Sequence, residues 1–157
     1  MPRAGRKSVR KPAAVLTLSV QFGVAGANLP SRQRMRVWAK AALLNDAQVT
    51  LRLVGTREGR KLNRDFRGKD YATNVLTFAY PDTAPLSGDI VLCAPVVALE
   101  ARRQRKPLEA HYAHLVVHGM LHLQGFDHEN NQDAGVMEGL EAEIVMKLGY
   151  AHPYAEQ

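Results

Sequence analysis

The stretch HGMLHLQGFDH, His118 to His128, decides how the second half of this chain reads. His118 and His122 are four residues apart, and on a helix such residues lie on one face, a turn apart. Both rings can then aim at one point. Gly125 can take positive φ at no steric cost, so the helix can stop there and the chain can reverse. Phe126 and Asp127 then carry His128 back toward the first two histidines. Three neutral imidazoles facing one point suit a tetrahedral zinc ion with its fourth position open. A His-x3-His pair alone is weak evidence, and the glycine turn with a third histidine makes it specific. No further Cys, His or carboxylate stands at a standard spacing for a closed structural site.

The spacing His-x3-His-x2-Gly-x2-His matches the metzincin frame at every ligand position. Zinc proteases place a glutamate after the first histidine as general base. Here Gly119 occupies that place and has no side chain to take a proton. The ligand frame is kept and the peptide-cleaving base is absent, which favours other chemistry. His111 and His114 fall on the same helical stripe as His118 and His122. His114 is a candidate to steady a ligand from behind, although a partly buried helix histidine is the plainer reading of both.

Working outward, the pattern predicts strands over 14–22, 47–55, 74–80 and 88–94, rich in Val, Leu, Thr and Phe. Ser31 is an N-cap for a helix to about Leu44, with Met35, Trp38, Ala41 and Ala42 on its buried face. A basic helix covers 56–68, with Leu62 and Phe66 as its buried stripe. Further helices run from Pro95 to about Lys106, from Leu108 to Gln124, and from Asn131 to Leu148. The last carries Val136, Leu140, Ile144 and Leu148 as its apolar stripe, and Gly149 follows as a C′ residue. Cys93 reads as an inert core thiol. The predicted fold class is α+β: a four-stranded mixed sheet packed with about five helices, and a metzincin-like three-histidine zinc site in a cleft.

The chain has 157 residues, 46% of them hydrophobic, enough for one domain with a real core. That domain is expected over 14–157, after a basic disordered tail at 1–13. No run of eighteen apolar residues occurs, so no membrane-spanning helix is expected. One cysteine allows no intrachain disulfide, and no apolar segment follows the basic N-terminus as a secretory signal would require. A cytoplasmic location fits. The net charge of +6 is unevenly placed: +5 in residues 1–13, +7 in 14–110 and −6 in 111–157. A basic body beside an acidic end suggests a polyanionic partner.

The residues resemble a known family. HGMLHLQGFDH looks like the signature of the YbeY family, bacterial metal-dependent endoribonucleases of ribosomal RNA maturation. LNRDFRGKDYATNVLTFAYP (62–81) resembles a second family block, with Asn63, Arg67, Asp70, Thr73, Asn74, Val75, Leu76 and Phe78 in register. GDIVLC and MEGLEAEIVMKLGY extend the likeness across about 14–154, and the basic tail lies outside it. The resemblance implies one zinc ion on His118, His122 and His128, with Arg67 as the catalytic arginine. It implies cleavage of single-stranded RNA, 3′-end maturation of small-subunit (16S) ribosomal RNA and ribosome quality control. The implied partners are ribosomal RNA, the small ribosomal subunit and its assembly factors.

Elementary chemistry meets this from its own side. A phosphodiester transition state needs positive charge held in place, and an arginine fork suits phosphate oxygens. Lys61, Arg64 and Lys69 flank Arg67 as a track for the RNA backbone, whereas Arg57 and Arg60 read individually as solvated. Whether water or the RNA 2′-OH attacks is left open, as is the general base; Asp70 and Asp127 read as structural. Two other functions compete. One is a metal hydrolase of another substrate, such as a peptide. The other is a ribosome-assembly or RNA-binding factor whose zinc is mainly structural.

Overall fold

The computed structural model describes residues 13–155. The expected disordered tail therefore lies, but for Ala13, outside the described residues. Nine elements follow one another: β1 (Leu16–Phe22), α1 (Arg32–Ala41), β2 (Ala47–Val54), α2 (Thr56–Arg67), β3 (Val75–Tyr80), β4 (Leu86–Cys93), α3 (Ala94–Arg103), α4 (Leu108–Leu123) and α5 (Asn131–Lys147). The fold is α+β, with a four-stranded sheet in the order β1-β2-β4-β3. β1 pairs β2 and β2 pairs β4 in parallel, and β3 pairs β4 antiparallel, so the sheet is mixed. β3 is an edge strand. Among the described residues no helix is long and apolar enough to cross a membrane.

Strand alternation sorts the sheet into two faces. One face carries Leu16, Val49, Leu51, Leu53, Ile90 and Leu92, which pack with Met35 and Trp38 of α1 and with Tyr112, Val116, Met120 and Leu121 of α4. Fully burying each Leu or Ile stabilises the fold by about 1.5–3 kcal/mol. The other face is covered at one end, where Val54, Leu76, Val91 and Cys93 meet Leu62 of α2. Burial pushes the Cys93 thiol up, as suits a core thiol.

Ser31 caps α1 through its side chain, which accepts from Arg34 N at 3.1 Å. Trp38 is buried as expected, whereas Ala41 is exposed and Ala39 takes its place in the core. Two stripes need correction. In α2, Phe66 is 66% exposed although Leu62 is half-buried: its ring meets Phe78 edge-on at the edge strand β3 rather than entering the cluster around Leu62. In α5 Leu140, Ile144 and Leu148 pack on the core as expected, but Val136 is exposed. Met137, Glu141, Ala142 and Val145 form a second buried row beside them, which a carboxylate interrupts.

α4 lies directly on β4. An added Cβ at Gly119 would come within 3.0 Å of Ile90 Cγ2, and one at Gly88 within 2.7 Å of Leu123 Cδ2. The missing side chains set how closely helix and strand approach. Gly119 thus has a packing role that its place in the histidine motif does not reveal.

Candidate active site

Gly125 has φ +104°, and its N–H bonds His122 O at 3.1 Å. This closes α4 and turns the chain back, as the spacing predicted. The rings of His118, His122 and His128 form a triangle with centroid separations of 6.3, 5.6 and 5.7 Å. In a tetrahedral zinc site with Zn–N bonds of about 2.0–2.1 Å, three such centroids fall roughly 5 Å apart. The triangle is therefore slightly open, and no group of three His, Cys, Asp or Glu among the described residues already meets the geometry of a metal shell. The three rings nonetheless stand within 6.3 Å of one another, centroid to centroid.

Behind the triangle lies a group that the sequence reading missed. Glu141 of α5 is 1% exposed. One of its oxygens lies 3.2 Å from His118 Nδ1. The other lies 2.6 Å from His114 Nε2 and accepts from the Tyr154 hydroxyl at 2.7 Å. With Nδ1 engaged by a carboxylate, His118 offers Nε2 to the cleft, the arrangement that orients metal-ligating histidines. Burial alone would raise the Glu141 carboxyl, but hydrogen bonds from His114 and His118 outweigh it and hold the group at about 2. Burial and the Glu141 carboxylate push the Tyr154 hydroxyl up. His114 thus stands one step further back than expected, steadying Glu141 rather than a ligand. The one available signal was an acid at a buried helical position, between Met137 and Ile144.

His111 takes no part in the triangle. Its Nε2 lies 2.9 Å from Glu100 Oε1, which also accepts from Asn74 Nδ2 at 3.0 Å. The Nδ1 atoms of His111 and His114 are buried without a hydrogen-bond partner, which fits tautomers with the proton on Nε2. Burial keeps His122 toward its neutral form, and the neighbouring His118 and His128 add to that. Three imidazoles, one fixed from behind and one held neutral, fit the donor chemistry of zinc.

The opposite wall comes from α2 and β3. Gly68 takes the left-handed conformation (φ +71°), and Lys69 N bonds Asn63 O, which turns the chain out of α2. Buried Asn63 donates Nδ2 to Tyr71 O at 2.7 Å and fixes the following loop. Arg67 donates Nη2 to the Thr77 carbonyl at 2.9 Å. As a result Arg67, Lys69, Tyr71 and Thr73 share a cleft of about 240 Å³ with the three histidines. Lys61 and Arg64 do not line it: both lean on Asp65, at 3.1 and 3.4 Å. Asp70 holds Arg60 through two contacts of 2.8 and 3.0 Å, and Asp127 accepts from His128 N, structural roles in both cases.

The profile of the family described as Endoribonuclease YbeY matches residues 31–149. A protein of Aromatoleum aromaticum named Endoribonuclease YbeY is 59% identical over 143 residues, covering 89% of this chain and 93% of its own. One of the same name from Nitrosomonas eutropha is 57% identical over 140 residues, covering 89% and 99%. The solution structure of a Thermotoga maritima protein superposes with a TM-score of 0.59 at 29% identity, over 84% of this chain and 89% of its own. The chain belongs to the Endoribonuclease YbeY family.

Proposed function

We propose that the protein is a zinc-dependent endoribonuclease, a phosphodiester hydrolase specific for single strands. His118, His122 and His128 hold one zinc ion, and Arg67 is the catalytic arginine. The observation that carries this reading is the shared cleft, in which the arginine and the three histidines meet. When bound, zinc supplies positive charge and Lewis acidity at the phosphodiester. Arg67 clamps a phosphate oxygen with the arm of its fork that Thr77 does not occupy, and Lys69 adds charge beside it. Glu141 holds the His118 ring in place.

The relatives' name supports RNA as the substrate. Peptide hydrolysis fits less well on two counts. Position 119, where a protease carries its base, abuts Ile90. The Thr77 carbonyl on the edge strand, where a peptide would add as a further strand, is already taken by Arg67. The place of action we assign by family resemblance is the 3′ end of small-subunit (16S) ribosomal RNA, with ribosome quality control. The partners are then the small ribosomal subunit and its assembly factors, in the cytoplasm.

Metal analysis of the purified full chain tests the zinc, with one ion per chain expected. Cleavage of single-stranded against duplex RNA tests the substrate, and a 2′,3′-cyclic phosphate end identifies attack by the 2′-OH. If Arg67→Ala and His118→Ala stay folded and still restore ribosome maturation in a deletion strain, the catalytic reading is wrong and the assembly-factor reading replaces it.

A further inference from the structure

Phe66 breaks the rule of its own helix. It shares a row with half-buried Leu62, yet two thirds of it meets water. Its ring touches Phe78 edge-on, with centroids 5.4 Å apart. The Arg67 guanidinium carbon lies 5.9 Å from the centre of that same Phe78 ring. Further along the chain, Tyr71 is 55% exposed and lines the cleft with Arg67 and Lys69. Asn63 pins the Tyr71 backbone, so this ring is presented from a fixed loop. Along the chain Phe66 and Tyr71 flank Arg67 and Lys69; Tyr71 lines the cleft with both cations, and Phe66 stands just outside it, sharing the Phe78 ring with Arg67.

Exposed aromatic rings beside cations match a ligand that alternates flat apolar faces with negative charge. Single-stranded RNA has that pattern, with one base and one phosphate per nucleotide. A duplex hides the faces of its bases in the stack, and an extended peptide has no matching repeat of charge. We propose that Phe66 and Tyr71 form a base-stacking platform that takes unstacked bases on either side of the phosphate held by Arg67 and Lys69. This rests on the RNA reading above and gives single-strand preference a physical source. The exposed ion pairs of Lys61 and Arg64 with Asp65, the residue before Phe66, can be exchanged for phosphate contacts.

The test uses the full chain and a short unstructured oligoribonucleotide in which one residue at a time, near the cleavage site, is made abasic. On the unmutated protein, removing a stacked base should raise KM roughly 5- to 150-fold, the range measured for base–aromatic stacking. Phe66→Ala and Tyr71→Ala should raise KM similarly for the intact oligonucleotide and lose the penalty at one abasic position each. Phe66→Tyr should behave as the parent, and Phe66→Leu, which keeps bulk without a π-face, should behave as the alanine variant. An unmutated protein that cleaves intact and abasic strands with equal KM overturns the platform and leaves the nuclease reading intact. A protein that cleaves no RNA at all overturns both.

Discussion

The helices on either side of the cleft carry charge in opposite surroundings. On α2 and the loop after it, outside the cleft itself, Arg60–Asp70, Lys61–Asp65 and Arg64–Asp65 are all exposed. Such pairs contribute little to stability and rearrange readily. On the α4 side, the Glu141 carboxylate is buried and engaged by His114, His118 and Tyr154. A buried acceptor with several donors is costly to break and holds its partners in one geometry. The histidine side is therefore fixed, and the ion pairs beside the basic side can rearrange. The proposed nuclease, acting on a flexible polyanion, would use both properties.

The sharpest way to break this contrast is Glu141→Ala, which removes the acceptor shared by His114, His118 and Tyr154 and leaves largely buried His114 without it. We expect a loss of roughly 1–3 kcal/mol in denaturant unfolding and a 10- to 100-fold drop in zinc affinity by chelator competition. Stability like the parent's would mean that the buried wall is no more fixed than the exposed one. Next is Gly119→Ala, whose Cβ would press on Ile90. Overpacking costs about 1–3 kcal/mol and helix propensity returns up to about 1, so a net loss of about 1–2 kcal/mol is expected in thermal melts. Gly119→Glu should lose more and gain no peptidase activity, since the position faces the core.

The pH dependence sharpens the contrast further. Burial lowers the His111 pKa below 6.5, against the opposing pull of Glu100. The unfolded chain thus takes up this proton first, so the His111 contribution is present above about pH 6.5 and is lost as pH falls below it. The Glu141 carboxyl is lowered to about 2, so its contribution persists down to the ordinary carboxylate range near 4.5 and is lost between there and about 2. Melting temperature should fall in two stages as pH drops below about 6.5, and His111→Leu should shrink the first stage, leaving the share that comes from His122. The smallest effect is expected from Asp65→Ala, whose melting temperature should match the parent's. The same variant frees Lys61 and Arg64, so RNA binding should become tighter and steeper in its salt dependence.

The order of elements was legible because hydrophobic period and cap residues are local signals. Ser31, Gly125 and Gly149 act where those signals placed them. The histidine triangle was legible for the same reason, since helix spacing and one glycine turn bring its members together. Glu141 was hidden because its partners lie 23 and 27 residues away, and no local pattern ties an acid to a distant histidine. Gly119 was read for the side chain it lacks, whereas its role is set by Ile90 on another element. Phe66 was assigned to the core because amphipathicity tells which side of a helix is apolar, but not how far the sheet beneath it extends.

The close seating of α4 on β4 also has a consequence in time. The helix α4 is buried along most of its length between the sheet and its neighbouring helices, so its backbone amides should be among the slowest to exchange with deuterated solvent. Those around Gly68 to Tyr71 lie at the edge and can exchange through local opening. The histidine frame then inherits the lifetime of the folded sheet. The exposed positions between Arg64 and Tyr71 lie outside that constraint, so substitutions at them should alter the rim of the cleft with little effect on the slowest amides.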